Sequence, residues 1–276
     1  MMQAYSVLMS VYRNEKPEFF RRAIESMLQQ TVPPTEFVIV CDGPLTQELT
    51  LVIDFFCQTN RELFRIVKLP ENKGLGLALR AGLEACSCEL VARMDTDDVS
   101  MPDRLEKQLE KLALEEELSA VGGQIAEFEG EESNILDYRM VPLTCEDIRR
   151  RVASRNPMNH VTVVMKKSHV LRAGSYCHAP GFEDYHLWVR MLGAGQKLAN
   201  IDHVCCNVRV DSNMYGRRGG WRYFKSSLEM EKFLYRQGFI GVARLWINVT
   251  VRFLGTVVCP NRLRSFLFKT IMRKKG

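Results

Sequence analysis

The sequence predicts an α/β fold, a Rossmann-like, mainly parallel sheet with helices on both faces, followed by a C-terminal helical, basic and amphipathic tail. Three observations carry that prediction. Short apolar runs alternate with helically spaced apolar residues through roughly the first hundred positions, the pattern of successive strand and crossover-helix units. The fourth run delivers a cluster of aspartates just beyond its carboxyl end, where open α/β sheets bind ligands. The charge is also divided. Residues 217–276 hold fourteen Lys and Arg against two acids, so they carry +12, and residues 1–216 carry −7 of the net +5.

Taken in order, Tyr5 to Tyr12 (YSVLMSVY) is a β-rich apolar run suited to a buried parallel strand. A polar Arg13-Asn14-Glu15-Lys16 connection leads to Pro17, which opens a helix with Phe20, Ala23, Ile24 and Met27 or Leu28 on one face. Phe37 to Cys41 is a second buried strand, ended by Asp42-Gly43-Pro44, and Gln47 to Phe56 has a helical pattern. Phe64 to Leu69, the third strand, runs through Pro70-Glu71-Asn72 into a helix with a glycine-rich start, Lys73 to Gly82. Glu89 to Met94 is the fourth strand, and Pro102 opens the next helix.

The 276 residues allow one large domain, or one domain with a smaller appendage. A hydrophobic content of 46% with 26% charged residues is that of a folded chain and argues against disorder. The opening MMQAYSVLMSVYRNE lacks a basic stretch before its apolar run, so no signal peptide is expected. Among the nine cysteines, neither Cys86 and Cys88 nor Cys205 and Cys206 has the spacing of a zinc or redox motif, which makes them reduced packing residues. A dinucleotide fingerprint belongs after the first strand, yet no glycine follows Tyr12 there. Gly74, Gly76 and Gly82 come after the third strand with the wrong spacing, and the phosphate-loop pattern is missing.

Two acidic groups stand out. In VARMDTDDVSMPDR, Asp95, Asp97 and Asp98 repel each other, which is tolerable on a solvated surface and useful if a hard divalent cation sits among them. The alternative is a solvated turn in which Asp98 or Ser100 caps the following helix. Glu183 and Asp184 follow Pro180-Gly181 and precede a stripe of Tyr185, Trp188, Val189 and Leu192, so they occupy the first turn of a helix. Acids there complement the helix dipole without any catalytic role.

The ordered motifs SVLMSVYRNE, VIVCDGP, LPENKGLGLALRAGLE, VARMDTDDVSMPDRLEKQ, RNPMNHVTVVMKKS and GFEDYHLWVRML resemble those of bacterial family-2 inverting glycosyltransferases, over residues 4–215. The subfamily they most resemble builds O-antigen and exopolysaccharide repeats, including the amylovoran type and galactosyltransferases acting on lipid-linked N-acetylglucosamine. The resemblance implies the A-type nucleotide-sugar fold, with a nucleotide-binding half over about 1–100 and an acceptor half over 101–215; the charge division sets off a basic amphipathic tail over 216–276. It implies that the nucleoside lies against Ser10, Val11, Tyr12 and Asp42, with Lys73 near the base or phosphates. By the same carry-over Asp95 lies near the ribose, Asp97 holds Mn²⁺ or Mg²⁺ with Asp98 as helper, Asp184 is the base and Glu183 its neighbour. Asn159-His160 either contacts the acceptor, or His160, before the apolar Val161 to Met165 run, is a hydrogen-bonded core residue. Arg217 and Arg218, beside Gly219-Gly220, form either a basic lid over the diphosphate or a solvated loop. A Gln-x-x-Arg-Trp motif and multiple membrane spans are missing, which suggests one sugar transferred per encounter.

In the tail, Phe239 to Val258 is apolar but interrupted at spacing four by Arg244, Asn248 and Arg252, one polar helical face. Arg262, Arg264, Lys269, Arg273, Lys274 and Lys275 follow among apolar residues. This pattern predicts a basic interfacial anchor on an anionic membrane, at the cytoplasmic face of the inner membrane. The competing arrangement is a helical pair packed on the catalytic domain. The expected activity is transfer of a hexose, galactose or glucose, from a UDP-sugar to a polyprenyl-diphosphate-linked saccharide. One rival is a metal-dependent nucleotidyltransferase acting on a sugar phosphate. A nucleic-acid-binding protein is the other, and it is disfavoured because the basic residues interleave with aliphatic ones and the remainder is acidic; no nucleic acid partner is expected.

Overall fold

The computed structural model of the protein describes residues 4–210 and 220–259. Strand β1 (Tyr5–Val11) is buried along nearly its whole length, as an apolar run covered on both faces must be. It pairs in parallel with β2 (Glu36–Cys41) and β4 (Leu90–Arg93), and β2 pairs in parallel with β3 (Phe64–Lys68). The register sets Val11 beside Cys41 and Leu8 beside Arg93. Tyr12, Asp42 and Asp95 therefore emerge from the same edge.

The helices that join these strands are α1 (Pro17–Leu28), α2 (Gln47–Thr59) and α3 (Leu75–Ala85). Pro17 begins α1 where its missing N–H is harmless, and the Thr46 hydroxyl accepts from the Leu49 amide at 3.3 Å to start α2. Alternate residues of β1 and β2 serve opposite cores. Val7, Met9, Phe37 and Ile39 pack with α1 and α2, while Leu8, Val38 and Val40 pack with α3. Helices cover both faces, as predicted.

The sheet is parallel through its N-terminal strands and mixed beyond them. Two-residue β5 (Val99–Ser100) is followed by α4 (Arg104–Leu114), β6 (Leu118–Phe128), β7 (Ile135–Arg139) and α5 (Cys145–Arg151). Then come β8 (Val164–Lys166), α6 (Lys167–Arg172), α7 (Glu183–Gly193) and β9 (Lys197–Arg209). Among the described residues the order is β3-β2-β1-β4-β8-β6-β9-β5, with β7 on β6. β8 runs antiparallel to both β4 and β6, β9 is parallel to β6, and β5 pairs antiparallel with β9, Ser100 opposite Cys206. That last ladder pins the acidic loop to the far half of the sheet. Among the described residues no disulfide joins the cysteines.

The last described elements are α8 (Gly220–Arg236), α9 (Val242–Phe253) and a short π-helical continuation, Leu254–Val258. Met230, Leu234 and Ile240 join the core beneath α7. No helix among the described residues is long and apolar enough to cross a membrane. The predicted polar stripe is turned the other way from the expectation of an arginine face in the headgroups. Asn248 Nδ2 and Arg252 Nε donate to the Glu231 carboxylate at 2.8 and 2.6 Å, and Glu231 on α8 is fully buried. A buried carboxylate left without donors would be strongly destabilising, so the stripe faces inward; only Arg244 is exposed.

Candidate active site

The donor side is built on strand ends. Ser10 is partly buried, Val11 is buried, and Tyr12 is 43% exposed at the rim. Asp42, just past β2, is buried and its carboxylate accepts from two backbone amides, Lys73 N at 2.7 Å and Gly74 N at 3.0 Å. It latches the loop after β2 to the start of α3. Gly43 makes the closeness possible, since its φ is +84° and a Cβ there would meet the Asn72 amide nitrogen at 2.6 Å. The Lys73 side chain is exposed. Asp42 is expected to lie against the nucleoside; its oxygens are already engaged by the two amides, although each retains a second lone pair.

The glycine-rich start of α3 has a packing reason. A Cβ on Gly76 would meet Cys177 O at 2.2 Å and Glu183 Cγ at 2.9 Å. Without side-chain bulk, α3 approaches the start of α7, which brings the donor loops against the helix that carries Glu183 and Asp184.

Arg93 closes β4 with a buried guanidinium that forms a two-pronged ion pair with Asp95. Thr96 donates from its hydroxyl to Glu15 at 2.6 Å, so Glu15, from the connection after β1, joins the acidic loop. Asp97 keeps accessible surface, yet the surrounding protein and then the charges of Asp95 and Glu15 push its carboxyl up to about 7. Asp98 points inward. Its Oδ1 accepts from the Arg209 amide at 2.9 Å, and burial followed by the charges of Asp97 and Asp95 drives its carboxyl well above the usual range. Neither Asp98 nor Ser100 caps α4, whose N-cap is Asp103. Asp98 is thus a strut between the loop and β9, which weakens its expected part as a metal helper.

Among the described residues no three His, Cys, Asp or Glu side chains converge to hold a metal unaided. The donor set still suits a hard cation. Asp97 suffers from its negative neighbours, and Mg²⁺-type ions are commonly held by one or two carboxylates together with substrate phosphates.

On the acceptor side, Asp184 lies in the first turn of α7, as predicted. Its Oδ2 accepts from Asn156 Nδ2, and its Oδ1 from the Tyr185 amide at 2.7 Å. Burial raises its pKa above the usual carboxylate range, while Asn156, the Tyr185 amide, Arg139 and Arg93 oppose that rise. Glu183 is also raised by burial. His160 bonds the Tyr176 hydroxyl at 2.9 Å and packs against Trp188, 6.1 Å between ring centroids. Burial and the Arg93 charge keep its imidazole neutral. Of its two predicted readings, the hydrogen-bonded one describes its setting. Arg217 and Arg218 lie outside the described residues.

The two sides meet around Arg93 and Tyr176. Arg93 acts electrostatically on Asp95 and on Asp184, and Tyr176 feels the same two carboxylates. Sequence reading missed Arg93, Asn156 and Glu15. A lone arginine closing an apolar strand was the available signal for Arg93; Asn156 and Glu15 sit inside quoted motifs but gave no sign of their partners.

Parallel strand ends bearing an acidic loop, faced by a carboxylate on a helix start, are the arrangement expected of the A-type glycosyltransferase fold. Residues 6–176 match the family described as Glycosyl transferase family 2. The amylovoran biosynthesis glycosyltransferase AmsE of Erwinia amylovora is 38% identical, with 96% of this chain and 98% of that protein covered. The Escherichia coli UDP-Gal:alpha-D-GlcNAc-diphosphoundecaprenol beta-1,3-galactosyltransferase is 32% identical over 98% of this chain and 97% of its own length. Among solved structures, the mannosyltransferase PcManGT from Pyrobaculum calidifontis, in complex with GDP-Man and Mn²⁺, shares the fold at a TM-score of 0.64 and 15% identity, over 99% of this chain and 76% of that one. The chain belongs to glycosyl transferase family 2.

Proposed function

We propose that the protein is a metal-dependent inverting hexosyltransferase that moves galactose or glucose from a UDP-sugar to a polyprenyl-diphosphate-linked saccharide in O-antigen or exopolysaccharide assembly. The observation that carries this reading is the meeting of two unlike carboxylate settings around Arg93, the repelled Asp97 and the hydrogen-bonded Asp184. The names of the Erwinia and Escherichia relatives support the polymer and the lipid-linked acceptor. The catalytic unit spans 1–215, its donor half ending near residue 100, and works as a peripheral protein at the cytoplasmic membrane face.

In this reading Ser10, Val11, Tyr12 and the loop latched by Asp42 hold the nucleoside, with Lys73 near the phosphates and Asp95, fixed by Arg93, near the ribose. Asp97 is the residue that would hold Mn²⁺ or Mg²⁺, with buried Asp98 behind it. Such a cation supplies positive charge to the departing diphosphate. An acceptor hydroxyl attacks the anomeric carbon as the bond from that carbon to the diphosphate oxygen breaks, and Asp184 takes the hydroxyl proton. Asn156 and the Tyr185 amide hold Asp184 in position, and Glu183 lines the approach.

The test is a panel of UDP-, GDP- and CDP-sugars with Mn²⁺ and a synthetic lipid-diphosphate N-acetylglucosamine acceptor, with products separated by anomeric configuration. Release of UDP with a single inverted hexose on the acceptor is expected. Pyrophosphate release from a nucleoside triphosphate and a sugar phosphate would instead establish a nucleotidyltransferase.

A further inference from the structure

Helix α9 wears its amphipathicity reversed. Asn248 and Arg252 are taken up by buried Glu231, Asn248 also approaches the Ala153 carbonyl at 3.4 Å, and Leu245 packs against the core beneath α7. The opposite face presents Val242, Trp246, Ile247 and Val251, continued by Leu254 and Val258, each between 52% and 67% exposed. At 3.6 residues per turn these lie on one side, joined by exposed Ala243 and Thr250, with Arg244 at one edge. Single exposed apolar side chains are ordinary, but a contiguous stripe of six on one helix marks a contact surface.

The surrounding charge indicates what that surface meets. Arg222, Lys225 and Arg236 on α8 and Arg244 on α9 are exposed. The sequence after Cys259 adds Arg262, Arg264, Lys269, Arg273, Lys274 and Lys275 without one acid. An apolar stripe within positively charged sequence complements an anionic bilayer, whose headgroups draw in the charge and whose acyl boundary accepts the stripe.

We propose that the outward face of α9 and its π-helical continuation, from Val242 to Val258, enters the interface of an anionic bilayer and holds the transferase at the membrane surface. This deepens the reading of a lipid-linked acceptor and rests on it for its purpose. The contact is made by the apolar side of the helix, while Arg252 stays within the protein.

Brominated lipid provides the test. In the full chain carrying Trp221→Phe, Trp246 is the exposed tryptophan, because Trp188 is fully buried. Vesicles of phosphatidylglycerol and phosphatidylcholine with brominated acyl chains should quench its emission and shift it to the blue. The variant Ile247→Ser/Val251→Ser/Leu254→Ser should sediment with such vesicles at least about tenfold less. It should melt like the parent and keep full transfer to a soluble acceptor analogue, but lose rate on acceptor embedded in vesicles. Absence of quenching overturns the proposal. So does an emission already blue and indifferent to lipid, which would mean that residues 260–276 cover the face, or a concentration-dependent dimer that forms without lipid and protects Trp246. If the parent chain binds vesicles through α9 yet transfers nothing to the soluble analogue, the transferase reading fails and the membrane face stands.

Discussion

Asp97 and Asp184 are both carboxyls raised above the usual range, and they are raised in different company. Around Asp97, the burial effect is reinforced by two further negative charges, Asp95 and Glu15, and opposed by a backbone hydrogen bond and Arg93. Around Asp184, burial is opposed by an asparagine amide, a backbone amide and two arginines. Arg93 eases both carboxyls, but Asp97 stays crowded by negative charge, which a phosphate-bound cation could relieve, whereas Asp184 is already held by an asparagine and a backbone amide. The contrast supports the proposed division into a donor-side and an acceptor-side acid, beyond what the spacing of the acids gives.

The harshest way to break the comparison is to remove the proposed base. Asp184→Asn keeps the shape and the Tyr185 contact but cannot take the hydroxyl proton, so transfer should fall by roughly a thousandfold. Calorimetric UDP binding should be unchanged; a parallel loss of UDP affinity would place Asp184 on the donor side.

Asp97→Asn should cost on the order of a hundredfold in transfer, and EDTA should silence the parent protein. It should also stabilise the metal-free fold. A carboxyl whose folded value is raised to about 7 from an ordinary 3.8 keeps its proton in the folded state where the unfolded chain has lost it. Stability therefore falls as pH rises across that window, and the penalty is complete above it. The asparagine variant should melt higher than the parent at pH 8 and alike at pH 4. Full activity in EDTA, or a lower melting temperature at pH 8, would undo the donor-side assignment.

Asn156→Ala is milder, about a tenfold loss near neutral pH, and sharpens the acceptor side. The amide favours the charged form of Asp184, so its removal should raise that residue's pKa and move the acid limb of the pH–rate profile to higher pH. A uniform loss at every pH would reduce Asn156 to packing.

Much of this architecture was legible because it is written within segments. Apolar runs fixed the strands, Asp95 and Asp97 followed a strand end, and Pro180-Gly181 announced the helix of Asp184. What escaped lies between segments. Asn156 meets Asp184 from 28 residues away, Glu15 meets Thr96 across 81, and Asp98 meets the Arg209 amide across 111. Periodicity reports which residues share a face and says nothing of what that face meets. The same gap misdirected α9. Its polar stripe was correctly grouped, but the buried Glu231 that turns Asn248 and Arg252 inward belongs to another helix.

The smallest effect expected is at Asp42, where it separates a latch from a reader. Its two oxygens accept from the Lys73 and Gly74 amides, so Asp42→Asn places an NH₂ group against one backbone N–H and loosens the loop. A hydrogen bond to a charged group is worth about 1.5 to 3 kcal/mol, and only part of that reaches the ligand, so UDP affinity should weaken roughly fivefold with little change in kcat. The pattern across bases carries the distinction. If Asp42 acts only by holding the loop, UDP, CDP and GDP should weaken alike. If a free lone pair of the same carboxylate also accepts from uracil N3–H, UDP should lose more than CDP, because cytosine presents no N3–H donor. Calorimetric titration of the three nucleotides against parent and variant decides between them.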